Sequence, residues 1–225
     1  MTSRAHAQQT RRIASTRMPT RWGIFQALAF ERDTPGAIRP VETALALIMG
    51  DITRGAPLLR IHSQCLTSEA FGSLRCDCRD QLEIAMRAIA DEGSGLLIYE
   101  HQEGRGIGLM AKLKAYALQD EGLDTIAANH ALGFEADCRD FCLPVAILNQ
   151  LGIHRVRLLS NNPQKFHVLI EAGIDVVARI PCETSPSTPR SCLSKKQKRE
   201  DGPHAYSRVN GNVYIYGIDG MAGGP

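Results

Sequence analysis

The sequence predicts an α/β fold, in which a single domain has a mixed β-sheet, a β-rich N-terminal third and βα units after it. Its 225 residues are enough for one sizeable core but not for two full domains. The first third holds short apolar stretches separated by glycine and proline, which is typical of strands and turns. After Cys78 the apolar residues recur at helical spacing, and a strand–helix–strand pattern follows.

Each predicted element ends at residues that favour turns or helix caps. The strands of the first third are separated at Pro35-Gly36, Gly50-Asp51 and Gly55. The first long helix precedes Gly93, which suits a C-terminal cap. The predicted strands cover 22–30, 43–49, 58–61, 95–99, 156–159 and 174–180, and the predicted helices cover 80–91, 108–119, 141–151 and 164–172.

Composition excludes several classes of protein. Apolar residues make up 44% of the chain and charged residues 22%, which excludes disorder of the whole chain. The longest apolar run, at 44–49, is far shorter than the roughly 18 residues that cross a bilayer, so we expect no membrane association. Because no apolar h-region follows the basic start, we expect no secretory signal and a cytoplasmic protein.

Positive charge is concentrated at the N-terminus. The net charge is +2, but residues 1–21 hold five arginines and no acid, so the remaining residues carry −3. We therefore expect no nucleic-acid partner for the folded body. Residues 1–16 have no apolar period and are predicted to form a disordered basic arm, although this composition also fits an organelle transit peptide.

Seven cysteines in a chain without a secretory signal do not indicate a disulfide framework. Cys65, Cys76 and Cys78 lie within fourteen residues and include a Cys-x-Cys pair. Three sulfurs would hold a tetrahedral zinc ion with one position left for water. Two alternatives stay open at this point: three buried structural thiols, or a closed site completed by a remote cysteine, namely Cys138, Cys142, Cys182 or Cys192.

Two glycine- or asparagine-rich turns are candidate ligand sites. The segment His101-Gln-Glu-Gly-Arg-Gly-Ile-Gly108 lies between a predicted strand and a predicted helix, where glycines allow close approach and helix amides favour anions. Ser160-Asn-Asn-Pro-Gln-Lys165 has the same context and ends in a lysine suited to phosphate. Each could also be an ordinary connecting turn.

Six motifs in register resemble the GTP cyclohydrolase II family, in that family's order and at its spacing, from about Met18 to Pro181. They are Arg60-Ile-His-Ser-Gln-Cys-Leu-Thr, Leu74-Arg-Cys-Asp-Cys78 with Gln81-Leu82, Gln102-Glu-Gly-Arg-Gly-Ile-Gly-Leu109, Lys114-Ala-Tyr-Ala-Leu-Gln119, Leu132-Gly-Phe134 with Asp137-Cys-Arg-Asp140, and Asn161-Asn-Pro-Gln-Lys165. The resemblance implies a homodimeric enzyme of riboflavin biosynthesis that uses zinc and magnesium. Such an enzyme opens the imidazole ring of GTP and releases formate and pyrophosphate.

The resemblance also implies a role for individual residues. It makes Cys65, Cys76 and Cys78 the zinc ligands, Asp137 the proton acceptor, Arg139 the nucleophile toward the α-phosphate, and Tyr116 a catalytic aid. It implies a GTP site lined by Arg60, Ile61, His62, Ser63, Gln64, Gln81, Glu103, Gly104, Arg105, Thr125, Ser160 and Lys165. The catalytic domain is expected at 17–204, and residues 205–225 match nothing in the family.

The chain departs from the family pattern at three positions. Gln64 stands where the family usually has Glu, Arg79 where a small residue is usual, and Ser160 where Thr is usual. Gln64 removes a negative charge beside a metal ligand, and it raises two alternatives to full activity. One is a truncated reaction, with ring opening or pyrophosphate release alone. The other is a nucleotide-binding zinc module without turnover.

Overall fold

A computed structural model of the protein describes residues 10–34 and 41–183. Its strands are β1 (Thr10–Thr20), β2 (Gly23–Asp33), β3 (Val41–Met49), β4 (Leu58–Ser63), β5 (Gly95–Glu100), β6 (Arg155–Leu159) and β7 (Asp175–Ile180). Its helices are α1 (Leu66–Glu69), α2 (Cys78–Glu92), α3 (Leu109–Asp120), α4 (Thr125–Ala131), α5 (Cys142–Gln150) and α6 (Pro163–Glu171), with a 3-10 turn at Glu103–Gly106.

The strands form one mixed sheet in the order β1-β2-β3-β5-β4-β6-β7. The first four strands in that order pair antiparallel, and the last four pair parallel. The predicted α/β fold with a mixed sheet is therefore confirmed. Because the parallel strands run in one direction, the segments that follow β4, β5 and β6 all start at the same edge of the sheet, namely the one formed by the C-terminal ends of these strands. Ligand sites of α/β folds form at this edge.

Helices cover both faces of the sheet. Leu58 and Leu97 pack with Ile89 of α2 on one face, whereas Leu59 and Leu96 pack with residues of α5 and α6 on the other. Neighbouring residues of a strand point to opposite faces, so each buried strand contributes to both hydrophobic clusters. Helices therefore support the sheet from both sides next to the ends of β4, β5 and β6.

Strand β1 overturns one prediction. Residues 10–16, assigned to the disordered arm, form part of a strand that pairs with β2 from Thr10↔Arg32 to Thr20↔Gly23. Most of its side chains are exposed, which explains why no apolar period marks it. Backbone hydrogen bonds to β2 order this segment, and such bonds leave no pattern in the sequence.

Several predictions lie outside the described residues, namely the remainder of the arm at 1–9, the segment 184–204, Cys192 and the unmatched residues 205–225. Within the described ranges, no helix is both long and apolar enough to cross a membrane.

Candidate active site

Three cysteine sulfurs meet at the edge of the sheet. Cys65 follows β4 and precedes α1, Cys78 is the first residue of α2, and Cys76 lies in the loop between these helices. The Sγ atoms of Cys65 and Cys76 are 3.5 Å apart, and all three sulfurs lie within 4.8 Å of one another. All three cysteines are free thiols. This donor set fits one thiophilic metal ion such as zinc.

The remote cysteines among the described residues, Cys138, Cys142 and Cys182, do not complete the cluster, and Cys192 lies outside those residues. Among residues 10–34 and 41–183, the group that could hold a metal ion contains Cys65, Cys76 and Cys78 alone. Cys138 is exposed, and the buried Cys182 donates to the carbonyl oxygen of Gln81 instead. Three protein ligands leave one coordination position for water or substrate, which is the pattern of catalytic rather than structural zinc sites.

The thiol of Cys65 is the one most ready to lose its proton. A hydrogen bond from Cys76, another from Cys78 and the charge of Lys112 hold the pKa of Cys65 far below its usual range. Hydrogen bonding to Cys65 raises the pKa of both Cys76 and Cys78. The ammonium of Lys112 lies 3.1 Å from the sulfur of Cys65. Cys65 is thus the member of the cluster held in the thiolate form that binds metal, whereas Cys76 and Cys78 keep their protons more tightly.

Two carboxylates hold the backbone at Cys65. Glu69 accepts a hydrogen bond from the amide of Cys65 at 2.9 Å, and Glu103 accepts one from the next amide, Leu66, at 2.7 Å. Glu103 is buried and also accepts from Lys112 at 2.7 Å and from the amide of Gly104 at 3.0 Å. Both carboxylates therefore keep the first cysteine of the cluster in place.

Glu69 also forms a hydrogen bond with His62. The ring of His62 stacks on Tyr99, its register partner on β5, with the ring centroids 5.7 Å apart. Burial lowers the pKa of His62 to about 4, so the ring is neutral at pH 7. Because Arg60 donates to Nδ1, the proton lies on Nε2, 2.9 Å from Glu69. Tyr99 also donates to Glu69.

Residues of β4 alternate between the site and the core. Arg60 and His62 lie on the face that α2 covers, where Arg60 donates to Gln81 at 2.8 Å. Ile61 points the other way and belongs to the opposite hydrophobic cluster. The side chain of Ile61 is therefore core, and any part that Ile61 has in the predicted GTP site falls to its backbone. Its carbonyl oxygen accepts from Lys165 at 2.8 Å.

The glycine-rich turn joins the cysteine cluster to a second segment, which carries the predicted catalytic residues Asp137 and Arg139. The carbonyl oxygen of Arg105 accepts from the amide of Cys138 at 2.9 Å. A Cβ at Gly106 would lie 2.7 Å from the carbonyl carbon of Cys138, so only glycine allows this approach. Arg105 itself has a left-handed backbone with φ 57°, a strained conformation that often marks functional sites.

Asp137 and Arg139 lie on this second segment and bind each other. Nε of Arg139 lies 2.8 Å from one carboxylate oxygen of Asp137 and 3.1 Å from the other, and Nη2 forms a further bond. Burial alone would raise the pKa of Asp137, but Arg139 outweighs burial and holds the pKa below its ordinary value. Asp137 is thus an anion that touches the guanidinium.

Positive charge gathers beside this pair. Lys165 is buried, and burial together with repulsion from Arg139 and Arg60 lowers its pKa well below the usual range. Glu100 lies nearby, where burial raises its pKa to about 7 against the influence of Lys165. Arg60, Arg139 and Lys165 thus form a basic cluster in which burial and repulsion disfavour the charge on Lys165, and a ligand with several negative charges, such as a polyphosphate, would favour that charge again.

Ser160 stabilises the turn that begins α6. Its buried hydroxyl accepts from the amide of Asn162 at 3.1 Å, and Asn162 caps the helix by accepting from Gln164 at 2.8 Å. The serine therefore orients the turn that delivers Lys165. Ser63, also predicted to line the site, has a buried Oγ without a hydrogen-bond partner among the described residues.

Tyr116, Thr125 and Gln64 lie around the cluster. Tyr116 on α3 stacks under the guanidinium of Arg75, which is 4.7 Å from the ring centroid, and Lys112 lies 5.6 Å from the same centroid. Thr125 begins α4, where Gln119 lies 3.3 Å from its hydroxyl. The amide of Gln64 donates to the carbonyl oxygen of Glu100 at 2.9 Å.

Reasoning from the sequence missed several residues of this network, chiefly Glu69, Tyr99, Glu100 and Lys112. Two signals were available. Glu69 lies four residues after Cys65, a spacing that lets a helix side chain return to the first amide. Lys112 lies three residues before Ala115, so it falls on the buried side of α3.

Known proteins match this chain over the part that carries the site. The family model described as GTP cyclohydrolase II matches residues 11–181. The GTP cyclohydrolase-2 proteins of Shigella boydii and of Escherichia coli K12 are each 51% identical over 174 residues, or 77% of this chain and 86% of theirs. RibBX of A. baumannii, a solved two-domain 3,4-dihydroxy-2-butanone 4-phosphate synthase, is 18% identical over 69% of this chain and 35% of that chain, at a TM-score of 0.37. With the cysteine cluster, the glycine-rich turn and the Asp137–Arg139 pair all inside the family match, this chain belongs to the GTP cyclohydrolase II family of enzymes.

Proposed function

We propose that this protein catalyses the zinc-dependent hydrolysis of GTP to 2,5-diamino-6-(5-phosphoribosylamino)pyrimidin-4(3H)-one, formate and pyrophosphate, the first step of riboflavin biosynthesis. One observation carries the proposal. In the turn Glu103–Gly106, Glu103 accepts from the amide that follows Cys65, and the carbonyl oxygen of Arg105 accepts from the amide of Cys138, so the turn links the cysteine cluster to the segment of Asp137 and Arg139. Groups suited to ring opening and groups suited to phosphate chemistry thus share one site.

Cys65, Cys76 and Cys78 would hold the metal. Their sulfurs lie close enough together for one tetrahedral ion, and one coordination position stays open. When bound in such a site, zinc makes a nucleophile available at neutral pH by lowering the pKa of water to about 7. Glu69 and Glu103 keep the backbone of the first ligand fixed, which preserves the geometry of the site.

Arg60, Arg139 and Lys165 would bind the triphosphate, with Mg²⁺ on its oxygens. Arg139 would attack the α-phosphorus, forming a nitrogen–phosphorus bond as the bond to the departing pyrophosphate breaks. The guanidinium must give up a proton in that step, and the carboxylate of Asp137 lies 2.8 Å from Nε to accept it. Water would later release the nucleotide from Arg139.

The contacts of Glu103 bear on recognition of the base. A carboxylate has about four acceptor positions, and Glu103 uses three of them for Lys112, Gly104 and Leu66. Guanine presents two donors on the edge that a carboxylate would read. Binding guanine through Glu103 would therefore compete with the hydrogen bonds that hold the cysteine cluster. We assign Glu103 primarily to holding the backbone beside Cys65.

Product analysis tests the proposal. The purified protein is incubated with GTP, Zn²⁺ and Mg²⁺, and the products are identified by mass. We expect the diaminopyrimidine, formate and pyrophosphate in equal amounts. Pyrophosphate without formate, or a ring-opened triphosphate, would instead show a truncated reaction, and nucleotide binding without turnover would show a silent zinc module. The expected homodimer is tested separately, by sedimentation of the same sample.

A further inference from the structure

A buried lysine contacts the cysteine cluster. Lys112 projects from α3, and its side chain is 11% exposed. Its ammonium lies 3.1 Å from the sulfur of Cys65 and 2.7 Å from a carboxylate oxygen of Glu103. An ammonium group loses much of its hydration when it is buried, so it is found inside a protein only where partners replace that water. Here one partner is the sulfur of a predicted metal ligand.

The surrounding backbone makes room for this lysine. A Cβ at Gly104 would lie 3.0 Å from the Cβ of Lys112, which is closer than side chains normally approach. Gly104 also has a left-handed backbone, with φ 62°. The glycine-rich turn therefore does two things at once, since it leaves space for the stem of Lys112 and carries the carboxylate of Glu103 that holds its tip.

Charge explains why a cation is needed there. Three thiolates and one divalent ion would leave one excess negative charge in a partly buried site, and the buried Glu103 adds a second negative charge close by. Lys112 lies between these two groups and contacts both. Without Lys112, the two negative groups, the sulfur of Cys65 and the carboxylate of Glu103, would lose the cation that they share.

We propose that Lys112 is a positioning residue of the metal site, which donates a hydrogen bond to the sulfur of Cys65 and is itself held by Glu103. The inference rests on the proposed function in that the three cysteines bind zinc. The bond withdraws electron density from the sulfur, so the metal receives less charge from Cys65 and stays more electrophilic. Groups of this kind around a metal site typically change metal affinity 10–100-fold.

Metal binding tests this role without reference to turnover. Lys112→Met removes the donor and the charge, whereas Lys112→Gln keeps an N–H donor without the charge. Lys114→Met, at an exposed position on the same helix, is the matched control. Zinc affinity is measured by competition with a chromogenic chelator. The sulfur-to-metal charge-transfer band is recorded on the cobalt-substituted protein, and circular dichroism checks the fold.

We expect Lys112→Met to bind zinc about 10–100-fold more weakly, because the site loses the cation that offsets its excess negative charge and holds the sulfur of Cys65. The charge-transfer band should shift to longer wavelength, because a sulfur without this hydrogen bond donates charge more readily. Lys112→Gln should fall between Lys112→Met and the unmodified protein, and Lys114→Met should match the latter. Zinc affinity within twofold of normal and an unmoved band in Lys112→Met would overturn the proposal. Loss of the native fold in both Lys112 variants would overturn it too, since Lys112 would then be structural. Failure of the proposed function would appear in the products of the unmodified protein.

Discussion

The guanidinium of Arg139 lies against the carboxylate of Asp137, with Nε 2.8 Å from Oδ1, and the carboxylate also accepts from the amide of Arg139 at 3.1 Å. Asp137 and Arg139, which are two positions apart in the sequence, thus form a closed unit in which the proposed proton acceptor and the proposed nucleophile are already in contact. Gly106 and Arg105 pack against this unit from the glycine-rich turn. The role of each of these two residues can therefore be tested by substituting one of them at a time.

Asp137→Asn should slow turnover sharply while leaving GTP binding nearly intact. The amide keeps the size of the carboxylate but cannot take a proton from Arg139, and general-base catalysis contributes about 10²–10⁴-fold. Steady-state kinetics should show kcat falling by this factor with KM changed by less than about threefold. Asp175→Asn, in an exposed ion pair with Arg155, is the control. A loss confined to KM would contradict the assigned role.

The two bond cleavages should separate in the variants Cys78→Ser and Arg139→Ala. Loss of a sulfur ligand should abolish formate release and leave part of the pyrophosphate release, because different groups serve the two steps. Loss of Arg139 should reduce pyrophosphate release and every later product. Formate and pyrophosphate are measured in the same reactions. Identical product patterns from the two variants would mean that the steps share one catalytic group.

Glu100 should make stability depend on pH. Its folded pKa of about 7 lies above the value of 4.5 for a free carboxyl, so the folded state holds the proton more tightly. This contribution to stability is present below pH 4.5 and is lost as the pH rises toward 7. Glu100→Gln should therefore raise the free energy of unfolding more at pH 7.5 than at pH 4.5, by about 2–3 kcal/mol.

Urea unfolding at the two pH values measures this difference, and the exposed Glu171→Gln is the control. His62 acts in the opposite direction. Its folded pKa of about 4 lies below 6.5, so its contribution is lost as the pH falls from 6.5 toward 4. Comparing each variant with the unmodified protein at the same pH cancels the His62 contribution. An equal effect of Glu100→Gln at both pH values would show that Glu100 titrates normally.

Gln64→Glu should change turnover by less than about tenfold. The carboxylates of Glu69 and Glu103 already hold the backbone beside Gln64, and Asp137 remains available as a proton acceptor. A third carboxylate would add negative charge to a site that already has an excess. Turnover is compared at saturating GTP. A gain of a hundredfold or more would mark the natural protein as a weakened member of its family.

Much of the fold was predictable because strong local patterns agree with tertiary packing. The predicted helix at 80–91 corresponds to α2, and Gly93 caps it with a left-handed backbone at φ 71°. Helix α4 was missed although Asp124 caps it by accepting from the amide of Ala127, because its seven residues are too few for a clear period. Strand β1 was missed because it presents most of its side chains to solvent.

The site was predictable as a set of motifs but not as a network. Motif spacing indicated the three cysteines, yet the contact of Lys112 with Cys65 joins residues 47 positions apart, and the contact of Glu69 with Tyr99 joins residues 30 positions apart. For Ile61, the motif alone did not distinguish a role of the side chain from a role of the backbone. Alternation along β4 places it on the core face between Arg60 and His62, so a motif that runs through three consecutive strand residues cannot present all three side chains to a ligand.

The central claim is that ring opening of GTP depends on a zinc ion held by the three cysteines. Removing and restoring the metal tests this claim most directly. The protein is stripped with a chelator, assayed for formate release, and assayed again after one equivalent of Zn²⁺, with Cys76→Ser treated in parallel. We predict one zinc per chain in the unmodified protein, no formate without metal, and recovery on addition of zinc only where Cys76 is present. A stripped, zinc-free protein that releases formate at the full rate would contradict the claim.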